Sequence, residues 1–196
     1  MLSELRPAIV ATLFFTLLLG VGYPLLVTGV AKVAFPAQAE GSLIRKDGKV
    51  VGSALIAQNF TKPEYLHPRP SAAGSNGYDP TSSSGTNLGP TNPALIKQVK
   101  TAADGVRGDA PGVAIPPDAV TSSASGLDPD VSPANAARQA ARIAAARGVA
   151  SGEVQKILDA HTQAPWLGVF GQPRVNVLQT NLALDAALPR AQAKGP

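Results

Sequence analysis

Between Arg6 and Lys32 the chain runs for 25 consecutive positions, Pro7 to Ala31, without a charged residue. Rising about 1.5 Å per residue as a helix, that run spans about 37 Å, against about 30 Å for the hydrocarbon core of a bilayer. The pattern predicts a transmembrane helix over 7–33, preceded by a short N-terminal tail, 1–6. Gly20, Gly22, Pro24 and Gly29 interrupt the run. Such residues weaken a soluble helix but are commoner in membrane helices, where small side chains admit a neighbouring helix. They predict a kink or a packed partner. The rival reading is a cleaved secretory signal, with Ala37-Gln38-Ala39 as the cleavage pattern. The run exceeds the roughly 7–15 residues of a signal core, which favours a retained anchor.

The remainder, 34–188, patterns as one small soluble α/β domain, with a flexible tail over 189–196. Ser42 to Ile44 and Val50 to Ile56 flank Asp47-Gly48, a two-residue hairpin turn that needs positive φ at both positions. Pro63, Pro68 and Pro70 exclude a regular helix or central strand over Asn59 to Ser71, where Phe60 and Tyr65 are placed to pin an extended segment onto the core. Ala72 to Asn92 is a long Ser/Gly/Asn-rich loop. A helix opens at Pro93 after Asn92, carries Leu95, Ile96 and Val99, and ends near Gly105. Asp118 to Pro133 reads as a Val-Thr strand followed by turns. Ser132 then caps an Ala-rich helix from Pro133 to Gly148, and Ser151 caps another with Val154, Ile157 and Leu158 on one face. The stretch after Arg174 is a strand turning into a helix, or one helix with Leu178 and Leu182 inward. The fold class expected is α+β: one N-terminal transmembrane helix followed by a single small α/β extracytoplasmic domain.

Charge changes this picture little. Lys+Arg 17 against Asp+Glu 13 gives +4, but charged residues are only 15% of the 196 positions, so the excess is mild. With no cysteine, disulfides, thiolate metal sites and cysteine nucleophiles are excluded. Lys32, Arg45, Lys46 and Lys49 follow the span and only Arg6 precedes it, which leans toward a cytoplasmic body; the rule is weak before a long domain, so charge leaves orientation open.

No catalytic pattern stands out. His67 and His161 lack metal-ligand spacing and read as surface or satisfied histidines. Ser125 lacks the first glycine of a nucleophile elbow, and the chain has no phosphate-loop motif, although Ser82 to Gly89 could turn backbone N–H groups toward an anion. Asp118, Asp128 and Asp130 are interrupted by Pro129 and read as caps and turns rather than a calcium loop. Arg138 and Arg142 share a helix face from which Arg147 departs by half a turn, so no basic stripe forms and nucleic acid is not an expected partner. Gly20 to Pro24, GVGYP, resembles a potassium filter in its letters, but a single copy inside an apolar helix reads as a kink. Arg69, between two prolines, either clamps a carboxylate or phosphate or donates to loop carbonyls as a structural arginine.

Longer stretches carry a resemblance: LRPA at Leu5 to Ala8, GYPL at Gly22 to Leu25, GSALIAQNF at Gly52 to Phe60, RPSA at Arg69 to Ala72, SGTNLGPTNPAL at Ser84 to Leu95, VTSSASGLDPDVSP at Val120 to Pro133, and GQPRVNVLQTNLALD at Gly171 to Asp185. Across nearly its whole length the chain resembles the KdpC family, the C subunits of Kdp-type potassium-transporting ATPases; Ala57 stands where that family usually has glycine. The resemblance implies a non-catalytic accessory subunit of a high-affinity, ATP-driven potassium uptake complex in a bacterial inner membrane, its domain on the periplasmic side. It implies as partners a KdpA-type channel-like subunit, a KdpB-type P-type ATPase subunit, a small KdpF-type membrane subunit and the lipid bilayer. It also implies a catalytic chaperone that raises ATP affinity at the ATPase subunit; no cofactor is assigned to this chain, and ATP is reached through the ATPase subunit. The phosphorylation motif of P-type pumps, D-K-T-G-T, does not occur in this chain. Residues expected to contact partners are Gly20, Gly22, Tyr23 and Pro24 in the span, and Arg69, Asn87 and Asp128 in the domain. The alternative is a membrane-anchored envelope binding protein or hydrolase using Arg69 and the Ser/Gly/Asn loop.

Overall fold

The computed structural model describes residues 2–188; the tail expected over 189–196 lies outside them. The chain divides into two compact units, Met1–Ser53 and Ala54–Pro196.

The first unit is a 30-residue helical run, Leu5–Ala34, followed by a hairpin. It consists of α1 (Leu5–Phe15), a π-helical stretch Thr16–Gly22, and α2 (Tyr23–Ala34). None of its residues is buried. The π-helical stretch was not foreseen, and Pro24 supplies its reason. Proline has no N–H to return to the preceding turn and its ring crowds the carbonyl four residues back. The turn widens, so the Tyr23 N–H reaches the Leu18 carbonyl, five residues back. A short α3 (Pro36–Ala39) takes up the Ala-Gln-Ala pattern. Then β1 (Leu43–Lys46) pairs antiparallel with β2 (Lys49–Ser53), with Asp47 at φ 51° and Gly48 at φ 76°, the turn the sequence predicts.

The second unit contains α4 (Pro93–Val106), β3 (Asp130–Val131), α5 (Pro133–Arg147), α6 (Ser151–Ala160), β4 (Thr162–Gln163), β5 (Arg174–Asn176) and α7 (Val177–Ala187). The strands form one antiparallel sheet in the order β3-β5-β4. The core joins Ala136, Ala140, Ile143 and Ala144 of α5 to Val154 and Leu158 of α6, Val175 of β5, and Val177 and Leu184 of α7. Alanines on the inner face of α5 allow its backbone to approach its neighbours closely. Asn92, Ser132 and Asn176 cap their helices by accepting N–H bonds from Ala94, Asn135 and Gln179. Gly148, at φ 70°, closes α5, and Val149 donates back to the Ala144 carbonyl.

Three local expectations are corrected. Val120-Thr121 is not a strand: Pro117 opens a 3-10 turn, Pro117–Ala119, and the Val120 and Thr121 N–H groups both bond the Pro117 carbonyl. The only extended pairing there is the short β3. Ser151 does not cap α6; Ala150 occupies that position without a side-chain acceptor, while the Glu153 carboxylate accepts the Ala150 N–H at 3.2 Å. In α7, which follows a strand as one of the two readings had it, Leu184 rather than Leu182 turns fully inward beside Leu178.

Candidate functional site

Two places hold the residues singled out from sequence. In the first unit, Gly20, Gly22, Tyr23 and Pro24 lie where the π-helical stretch passes into α2. A Cβ added at Gly20 would meet nothing nearer than Thr16 Cγ2 at 3.9 Å, and at Gly22 nothing nearer than the Leu17 carbonyl at 3.5 Å. These are ordinary contacts, so the isolated helix has no packing reason for glycine here. Pro24 meanwhile removes the N–H that a carbonyl of the preceding turn would accept. The segment therefore presents a bare, widened backbone to whatever lies beside it.

In the second unit, Arg69 and Asp128 come together as an ion pair at 2.8 Å. Arg69 also donates from Nε to the Thr121 carbonyl and from Nη2 to the Ser122 carbonyl, both at 3.4 Å. Its fork thus does both things expected of it, within the chain. The second oxygen of Asp128 accepts the Asp130 N–H at 3.0 Å. Asn87 is not part of this pair; it is an exposed loop residue held at φ 52°.

The Ser/Gly/Asn loop is strapped to the 121–126 segment. Ser84 donates its N–H to the Ser125 carbonyl at 2.9 Å, and Ser71 Oγ donates to the Gly126 carbonyl at 2.6 Å while accepting the Tyr78 N–H at 2.7 Å. Gly126, at φ 67°, is required: a Cβ there would lie 2.5 Å from the Ser84 carbonyl oxygen and 2.7 Å from the Ala73 nitrogen. The Tyr78 hydroxyl donates to the Arg69 carbonyl at 2.7 Å, and burial pushes its pKa up to about 12.

An open hollow of about 460 Å³ is lined by Arg69, Asp118, Asp128, Asp130 and Arg174. Its acids are engaged. Asp118 accepts from the Ser132 N–H and hydroxyl and from the Asn135 side-chain amide; it does not itself cap α5 but holds Ser132, the residue that does. Asp130 accepts from Asn176 and pairs with Arg174 at 3.1 Å; burial nevertheless raises its pKa above the ordinary carboxylate value. Among the described residues no group of three or more His, Cys, Asp or Glu is placed to hold a metal ion. His67 Nε2 lies 2.9 Å from the Lys62 carbonyl and His161 Nδ1 lies 2.9 Å from the Ile157 carbonyl, so both are satisfied locally.

The residues that organise this body are ones that sequence reasoning weighed only as a basic surface, or passed over. The Arg147 side chain is fully buried, donating to the carbonyls of Glu64, Leu184 and Leu188 and pairing with Asp185 at 2.9 Å. Arg138 donates to the Val106 carbonyl, and Arg142 to the Pro63 and Tyr65 carbonyls. Two side-chain amides take the place of a neighbouring strand. Asn181 accepts the Leu66 N–H at 2.8 Å and donates to the Leu66 carbonyl at 2.9 Å; Gln139 does the same for His67 at 2.8 and 3.2 Å. Phe60 packs on the core and its ring lies 5.4 Å from that of Tyr65, which donates to Asp185, as the pinning of this segment requires. One signal was available: α5 carries three arginines and no acid, so their partners had to lie off the helix.

Among the described residues one helix, Leu5–Ala34, is apolar and long enough to cross a membrane, and a small mixed body of helices and strands follows it, the layout expected of a single-span protein. The comparisons place that layout: the model of the KdpC family, described as K+-transporting ATPase, c chain, matches residues 5–186, and the chain belongs to this family. A relative from Caulobacter sp. (strain K31) is 62% identical over 196 residues, covering 100% of both chains. One from Caulobacter vibrioides (strain NA1000 / CB15N) is 64% identical over 190 residues, 96% of each, and one from Beijerinckia indica is 56% identical over 191 residues, 96% of each. All three are named potassium-transporting ATPase KdpC subunit.

Proposed function

We propose that this chain is the accessory, non-catalytic C subunit of an ATP-driven potassium uptake pump of a bacterial inner membrane. The observation that carries the reading is the full-length match: span, loops and body all align with the KdpC subunit of the Caulobacter relative, with no part of either chain left over. The partners are a KdpA-type channel-like subunit, a KdpB-type ATPase subunit and a small KdpF-type subunit. Gly20, Gly22, Tyr23 and Pro24 form the contact with their helices. Small residues let backbones approach, and a carbonyl that has lost its helical donor is a favourable acceptor in a medium without water. The body stands on the periplasmic side, where it acts as a rigid attachment to the assembled pump. Any effect on ATP affinity then runs through the assembly rather than through nucleotide held by this chain.

The test is purification of the tagged full chain from its native membrane in mild detergent, with identification of co-purifying proteins and a potassium-stimulated ATPase assay. A stoichiometric pump complex whose potassium-stimulated activity falls when this chain is removed supports the reading. A solitary protein, or a pump indifferent to its removal, overturns it. Measuring the ATP concentration for half-maximal rate with and without the chain tests the effect on ATP affinity separately.

A further inference from the structure

Four exposed large apolar side chains of the second unit lie together at the tip between β4 and β5: Trp166 is 69% exposed, Leu167 71%, Val169 73% and Phe170 60%. The tip is ordered. Trp166 and Phe170 exchange backbone hydrogen bonds at 2.9 and 3.0 Å, and their rings lie 5.6 Å apart. Leu167 at φ 52° and Gly168 at φ 75° form the turn, closed by the Val169 N–H on the Trp166 carbonyl. From Gln163 to Pro173 the sequence QAPWLGVFGQP carries no charge. Four large apolar groups on a five-residue turn, none folded back onto the core, do not serve the stability of the body.

We propose that this tip inserts into the interfacial layer of the lipid bilayer in which the chain is anchored; the proposal rests on the membrane-anchored reading above. Two considerations select lipid over a second copy. A stable interface with a free second copy needs about 800 Å² from each partner, far more than one short turn offers on its own. Insertion into a bilayer has no such minimum, because the helix Leu5–Ala34 already holds the body beside the membrane and weak insertion becomes an intramolecular event. The composition also fits. Trp favours the level of the headgroups and Phe and Leu the acyl boundary just beneath it, and an uncharged loop selects that neutral boundary rather than anionic headgroups.

Trp166 is the only tryptophan in the chain, so its emission reports the tip alone. The full chain is reconstituted into phosphatidylcholine vesicles carrying bromines on the acyl chains, and flotation is followed alongside fluorescence. The expected result is co-flotation, blue-shifted Trp166 emission quenched by the bromines, and weak quenching by aqueous acrylamide. Val169→Asp should lower the bromine quenching while leaving the unfolding midpoint of the body unchanged. A chain that floats while Trp166 is quenched by acrylamide and not by bromine overturns the insertion and leaves the anchor standing. Failure to float overturns both. Protection of Trp166 that arises only when the pump subunits are added overturns lipid insertion in favour of a protein contact.

Discussion

The glycines of the two units make the sharpest contrast in the molecule. In the body, Gly126 has no room for a methyl group and sits where side chains rarely go, because two loops cross against it. In the helical run, Gly20 and Gly22 lie in the π-helical stretch, where an added Cβ would make only ordinary contacts at 3.9 and 3.5 Å. The first is explained by the chain itself; for the second the proposed reason is partner helices. The same division holds for polar groups. The body answers the backbone of its Pro-rich segment with Asn181, Gln139, Arg142 and Arg147, whereas the helix buries nothing and Pro24 withholds a donor from it. A self-sufficient body and a dependent span are what an anchored subunit of a larger assembly requires.

The contrast can be broken most forcefully at Arg147. Arg147→Met removes a buried cation that holds three carbonyls and Asp185, and it should destabilise the body by about 3–5 kcal/mol in denaturant unfolding. A loss under about 1 kcal/mol would show that the body is not internally stapled. Asn181→Leu should cost less, about 2–3 kcal/mol, because it strands the N–H and carbonyl of Leu66 while keeping the side-chain volume. Acid should have a smaller effect through His67. Burial, opposed by the hydrogen bond to the Lys62 carbonyl and aided by the Arg142 charge, holds its imidazole below the ordinary 6.5. The unfolded chain therefore takes up the proton first. The stability contributed by neutral His67 is complete above about pH 6.5 and is lost as pH falls from there through the folded-state value. Thermal midpoints of His67→Gln and the natural chain should accordingly converge on acidification. Gly22→Leu should leave the unfolding of the body untouched.

Much of the architecture was legible in local pattern. The charge gap from Pro7 to Ala31 marks the long helix, Asp47-Gly48 marks the hairpin, and Asn92 and Ser132 mark helix starts, since each signal is complete within a few residues. Failures came where distant chain decides. Val120-Thr121 has β-forming side chains, but Pro117 captures both N–H groups in a turn. Asn181 reads as polar and displaces the apolar stripe of α7 toward Leu182; its true role is fixed by Leu66, 115 residues away. The Pro-rich segment was rightly kept out of helix and sheet, yet which side chains would satisfy it depends on partners 72 to 115 residues distant. For the candidate site, Arg69 and Asp128 were both singled out, but their pairing emerges only once the loops close. The π-helical stretch was legible as a disturbance at Gly20 to Pro24 and not as a widened turn.

The central claim, that Gly22 in the span exists for contact with partner helices, is tested most directly by purifying the tagged Gly22→Leu full chain from its native membrane beside the unsubstituted chain. The account predicts equal membrane content and equal unfolding of the body, with the pump subunits lost from the Gly22→Leu preparation. Undiminished, stoichiometric co-purification of those subunits would contradict it.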